Sequence, residues 1–145
     1  MKTEIIHTHD YPDREGLAIA LAAGIAAQLA GAVAERGEAS LAVSGGSTPK
    51  RLFQVLAETD IPWDRVTVIL VDERICPPES DRANQKLVRE TLLQDKAAAA
   101  HFVAYETAYE LPIENAEKSA DLFAGLPWPL DVAVLGMGTD GHTAS

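Results

Sequence analysis

Cysteine is almost missing from this sequence. With Cys76 as the single thiol, the chain can form no internal disulfide and presents no cysteine metal site, which fits a reducing compartment. Basic residues are also scarce. Twelve Lys and Arg stand against 22 Asp and Glu, for a net charge of −10, and this balance disfavours a nucleic-acid surface. No apolar run approaches the roughly 20 residues that a membrane span requires, and the N-terminal residues lack the long apolar region of a signal peptide. A cytoplasmic protein with no membrane partner is therefore expected. Repeats, low-complexity linkers and internal domain boundaries are lacking too, so residues 1–145 are read as one domain. A chain of this length can bury roughly 68–70% of its unfolded surface.

What is present alternates between apolar runs and amphipathic stretches. Residues 4–9 alternate weakly and predict a short first strand with His7 and His9 on one side, where two histidines alone make a poor metal site. Pro12 and Asp13 open an alanine-rich helix to Glu35, in which Leu17, Leu21, Ile25, Leu29 and Val33 form one apolar stripe. Gly24 and Gly31 within it predict close packing on a sheet, and Gly37 is a stop. Buried strands are expected at 41–43, 66–71, 101–105 and 132–135, with helices after Pro49, over 80–93 and over 113–123. Alternating strands and helices predict an α/β fold: a mostly parallel sheet covered by helices on both faces.

Three loops at predicted strand ends carry the chemistry. The first, Ser44, Gly45, Gly46, Ser47, Thr48 and Pro49, joins a strand to a helix that Ser47 or Thr48 can cap. Its free N–H groups and the positive dipole end suit a phosphate, although an ordinary strand-to-helix turn reads equally well from this motif alone. The second is Asp72, Glu73 and Arg74, costly to bury unless paired or bound to a ligand, so a structural ion pair competes with a site. Arginine's planar fork matches phosphate. Eight of the 12 basic residues fall between positions 50 and 96; most suit solvated helix faces, with Arg74 the exception. Cys76 reads as a small packed residue rather than a nucleophile, and Asn84 as a tie for the preceding loop.

The third loop follows the apolar run 132–135. Gly136, Gly138 and Gly141 let a ligand approach the main chain, and the loop presents Asp140 and His142, an imidazole suited to general-base work. Parallel sheets bind ligands beyond their strands' carboxyl ends, so the three loops are expected to converge on one site. The segment 136–141 also fits G-x-G-x-x-G, but neither the following helix nor the later acidic residue of a dinucleotide site is present. No G-x-S-x-G elbow supports a serine hydrolase.

Taken together, Ser44-Gly45-Gly46-Ser47-Thr48-Pro49, Asp72-Glu73-Arg74 with Pro77, Asn84, and the run from Leu135 through Gly136, Gly138, Asp140 and His142 to Ser145 resemble the 6-phosphogluconolactonase family. The pieces occur in that family's order across nearly the whole chain. The related glucosamine-6-phosphate deaminases resemble an Asp-Glu-Tyr pattern where this chain has Asp72-Glu73-Arg74, and a different sequence after the histidine. Cys76 and Ala83 depart from the valine and serine usual in the family.

The resemblance implies hydrolysis of 6-phospho-D-glucono-1,5-lactone to 6-phosphogluconate in the oxidative pentose phosphate pathway, without metal or cofactor. It implies phosphate held by the glycine loop and Arg74, with Asp72 and Gly138 in the substrate site. His142 would act as base, Asp140 would orient the imidazole or the sugar hydroxyls, and N–H groups at 136–141 would stabilise the oxyanion. Because the family continues past this histidine, the chain resembles its N-terminal portion, with an open edge strand expected; the oligomeric state is not implied. The competing readings are a deaminase using Asp72 for proton transfer and a sugar-phosphate sensor, which normally travels with a helix-turn-helix that is missing here.

Overall fold

A computed structural model describes residues 4–144; the Ser145 of the last motif lies outside them. Four parallel strands form one sheet in the order β3-β2-β1-β4. The chain runs α1 (Arg14–Arg36), β1 (Ala39–Val43), α2 (Lys50–Glu58), β2 (Val66–Leu70), α3 (Asn84–Thr91), β3 (His101–Val103), α4 (Pro112–Ala124) and β4 (Val132–Ala133). Single 3-10 turns precede β2 and β3. The α/β architecture with a parallel sheet is thus the one expected from the alternation of elements.

The two central strands are buried from end to end apart from the partly covered Thr67, as the continuous apolar pattern of a parallel sheet requires. Register follows Leu41 against Val68 and Val43 against Leu70. Ala39, Leu41, Val43, Val66, Val68 and Leu70 alternate onto the face that meets Ile25 and Leu29 of α1, Leu52, Phe53 and Leu56 of α2, and Val88 of α3. Trp63 seals this layer, 2% exposed, with its indole N–H donating to Thr59 O at 3.1 Å.

Helix α1 begins at Asp13, whose Oδ1 accepts the Gly16 N–H at 2.7 Å, and it stops at Gly37 in the left-handed conformation. Its buried residues are Ala18, Ala22, Ile25, Leu29 and Ala32. The predicted stripe is therefore wrong at its N-terminal end: Leu17 and Leu21 stay 42% and 41% exposed. A four-residue spacing drifts around a helix of 3.6 residues per turn, so the small alanines meet the core while these leucines turn aside. A Cβ on Gly24 or Gly31 would meet nothing within 4 Å, so neither glycine serves close packing. Helix α1 is 23 residues long and contains an 18-residue window of mean hydropathy 2.0, enough by length and composition to cross a membrane, against the expectation from the sequence. In this fold its apolar stripe belongs to the core shared with α2 and β1.

Other boundaries moved as well. Residues 4–9 form no strand, and His7 and His9 are exposed with ring centroids 6.4 Å apart; no strand pairs with this segment among the described residues. Pro49 itself occupies the cap of α2, with no side-chain cap bond from Ser47 or Thr48. The run 132–135 supplies only a two-residue strand. Leu135 is 61% exposed, because β4 is a sheet edge bonded to β1 alone among the described residues. Asp131 fixes the start of β4: Ser40 N donates to its Oδ2 at 2.8 Å, and Arg36 pairs with its Oδ1.

Candidate active site

The loops that follow β1, β2 and β4 line one open cleft of about 560 Å³ beyond the carboxyl ends of the strands. Strand order explains their meeting: β1 lies between β2 and β4, so its loop sits between the other two. Ser44, Gly45, Gly46, Ser47 and Thr48 line the cleft, as do Asp72, Arg74, Gly138 and His142. Asp140 is the one predicted site residue not on the lining. It reaches the site through His142, whose Nδ1 bonds its Oδ1.

The first loop owes its shape to two glycines with different tasks. Gly46 has φ +94°, a left-handed conformation that side chains oppose. Gly45 makes room instead: a Cβ there would stand 2.9 Å from Asn84 Nδ2 and closer still to Asn84 Oδ1. Asn84 is 6% exposed and wedges between the first and second loops, donating from Nδ2 to Asp72 O at 3.1 Å. Lys50 N donates to Ser47 O at 3.4 Å; since no side chain caps α2, the next N–H groups of its first turn are open to an anion.

The second loop contains the contact that sequence reasoning missed. Glu73 forms no ion pair among the described residues and does not line the cleft. Its Oε1 accepts the Asn84 N–H at 2.7 Å and the Arg74 N–H at 2.8 Å, and its Oε2 accepts the Gln85 N–H at 2.8 Å. One carboxylate thus serves as remote cap for α3 and tether for the chain at Arg74; an acidic residue at a helix start also complements the dipole. A cap eleven residues before its helix leaves no local spacing to read. The Arg74 side chain is left exposed on the cleft. On the far side of β2, Tyr105 Oη donates to Val71 O at 3.0 Å. Burial first, then the Asp72 and Glu73 carboxylates, push the Tyr105 phenol above its usual pKa, which keeps that donor protonated. Cys76 is half-buried, its Sγ donating to Arg74 O at 3.6 Å.

The third loop is held mainly by itself. Gly138 N donates to His142 O at 2.8 Å, Gly141 N to Gly138 O at 2.9 Å, and Thr143 Oγ1 to Gly136 O at 2.6 Å. Gly141 has φ +88°. The imidazole folds back over Gly138, where a Cβ would come within 2.5 Å of His142 Nδ1. The side chains of His142 and Asp140 are 67% and 73% exposed. Bonds from the His142 side chain and backbone hold the Asp140 carboxyl below its usual pKa, so it is an acceptor at neutral pH and the Nδ1 position carries the proton. In a neutral imidazole that tautomer leaves Nε2 with the lone pair. Gly136 and Ser44 bring the first and third loops together: a Cβ on Gly136 would touch Ser44 Oγ at 3.6 Å.

Helix α1 supplies a fourth wall that the sequence reading did not include. Arg14, Leu17, Ala18 and Leu21 line the cleft. Glu15 and Arg51 join the first turns of α1 and α2 through two parallel bonds of 2.7 and 2.8 Å. This bond lowers the Glu15 pKa and raises that of Arg51. The signal available in the sequence was the four-residue spacing of Leu17, Leu21 and Ile25, which drifts away from a face that stays on the core. Among the described residues no cluster of three or more His, Cys, Asp or Glu is placed to hold a metal ion.

The chain matches the family of glucosamine-6-phosphate isomerases/6-phosphogluconolactonase over residues 12–145. It is 53% identical over 137 residues to the 6-phosphogluconolactonase of Rhizobium meliloti, a stretch that covers 94% of this chain and 59% of that protein. The 6-phosphogluconolactonase of Pseudomonas aeruginosa is 47% identical over 126 residues, covering 86% of this chain and 52% of that protein. Among solved structures, a 6-phosphogluconolactonase from Shewanella baltica shares the fold with a TM-score of 0.90 at 44% identity, over 92% of this chain and 57% of that one. This chain therefore spans less than three-fifths of the length of these relatives.

Proposed function

The chain belongs to the glucosamine-6-phosphate isomerase/6-phosphogluconolactonase family, and from that premise we propose that it is the part of a cytoplasmic 6-phosphogluconolactonase carrying the base and a phosphate cradle, within one domain. The observation that carries this reading is the joint presence, on one cleft, of the α2 N-terminus, Arg74 and His142. A phosphate at the first loop meets open N–H groups and a guanidinium, and these anchor the far end of the substrate. The Gly138–His142 loop lies across the cleft, where the lactone ring would sit.

Hydrolysis then follows from the tautomer. His142 Nε2 removes a proton from water as the water oxygen attacks C1 of the lactone. The carbonyl electron pair moves onto oxygen, and backbone N–H groups of residues 136–141 stabilise this oxyanion. Collapse re-forms the carbonyl and breaks the bond from C1 to the ring oxygen, which leaves with the proton returned by the imidazolium. The products are the C1 acid and a C5 hydroxyl. Asp140 stabilises the imidazolium between the two transfers, as an acceptor on Nδ1–H. Its bond to His142 Nδ1 supports the part of orienting the imidazole.

The test is hydrolysis of freshly prepared 6-phosphoglucono-1,5-lactone, measured beside ammonia release from glucosamine 6-phosphate. Lactone hydrolysis above the spontaneous rate, lost in His142→Ala, is expected. Ammonia release without lactone hydrolysis would move the chemistry to Asp72 and overturn the proposal.

A further inference from the structure

We propose that Arg14 is a second guanidinium for the substrate phosphate, reaching the first loop from α1 opposite Arg74. The assignment rests on the reading of residues 44–48 and Arg74 as the phosphate cradle. Residues 14, 17, 18 and 21 share one helix face by their spacing, and all four line the cleft. Arg14 stands at the first helical position, so its side chain belongs to the wall that Leu17 and Leu21 continue.

Charge pairing separates Arg14 from the third cation of the lining. Arg51 also lines the cleft, but its guanidinium is engaged by both oxygens of Glu15. Arg14 has no ion-pair partner among the described residues. The same Glu15–Arg51 pair, with the Asp13 cap, fastens the turn that carries Arg14 to the helix that follows the glycine loop. The backbone that carries the guanidinium is thus fixed, and only the side chain has to be ordered on binding. Leu17 and Leu21, turned aside from the core, continue this wall of the cleft.

The test is titration of the wild-type chain, Arg14→Gln and Arg14→Lys with 6-phosphogluconate and with inorganic phosphate, with circular dichroism as the check on folding. Arg14→Gln is expected to weaken both ligands about tenfold or more, the scale of a lost charge-assisted contact. Arg14→Lys is expected to recover part of the loss, and the decline of affinity with salt is expected to be shallower in Arg14→Gln. Wild-type binding combined with unchanged affinity in Arg14→Gln overturns the role of Arg14 alone. A folded wild-type chain that ignores both ligands overturns the phosphate cradle and this assignment together.

Discussion

The two sides of the cleft are built in opposite ways. On the side proposed for phosphate, the loops after β1 and β2 are cross-braced: Glu73 gathers three N–H groups from positions 74, 84 and 85, and Asn84 fills the space that Gly45 leaves. These loops extend from strands paired over five residues each. On the base side, the loop at 136–143 leaves a strand paired over two residues, and most of its bonds stay within the loop. The proposed anion site is thus braced by distant parts of the fold, whereas the geometry of His142 is set within the eight residues 136–143. A fault in the core should reach the phosphate before it reaches the imidazole.

Removing the base gives the largest expected effect. His142→Ala should lower kcat by roughly 10²–10⁴, the range of general-base catalysis, with affinity for 6-phosphogluconate little changed; steady-state kinetics beside a binding titration check this separation. Arg74→Ala should do the reverse, raising KM far more than it lowers kcat. Equal losses in both parameters from both changes would erase the contrast between the two sides.

Gly45→Ala comes next. The added methyl collides with a buried Asn84, and overpacking of this kind costs about 1–3 kcal/mol. Thermal unfolding should record the loss, and sugar-phosphate binding should fall with it while the amide signals of 138–142 stay in place. Glu73→Ala should cost about 1–2 kcal/mol as a lost helix cap, and should weaken phosphate binding through Arg74 without touching substrate itself.

The smallest effect is a titration. Because Asp140 has its pKa lowered by His142, its contribution is present above the ordinary aspartate value and is lost as pH falls through the depressed one. Carbon NMR of the Asp140 carboxyl should show a midpoint below the usual carboxylate range in the folded chain, rising toward that range in His142→Ala, which keeps the backbone N–H bond to Oδ1. An identical midpoint in both would remove the imidazole as the cause.

Much of this contrast was legible in the sequence. Alternating apolar runs gave the parallel sheet, and glycine loops after strands gave the convergence of residues 44–48, Arg74 and His142, because both signals are local. What escaped was set by tertiary partners. The Glu73 carboxylate was read as a candidate for pairing, and only the packing of α3 revealed backbone N–H groups around it. Leu17 and Leu21 carried the correct apolar character, but drift of a four-residue spacing placed them on the cleft. The run 132–135 looked doubly buried, yet only its first two residues became a strand and the edge position left Leu135 exposed. Residues 4–9 had the alternation of a strand and no sheet edge to join.

The most direct test follows backbone amide shifts of the labelled chain during titration with 6-phosphogluconate and, separately, glucosamine 6-phosphate. A sugar-phosphate lactonase cleft predicts selective shifts at residues 45–48, at Arg74 and at 138–142 with the first ligand. A well-dispersed spectrum in which 6-phosphogluconate moves none of these residues, or in which only glucosamine 6-phosphate moves them, would contradict it.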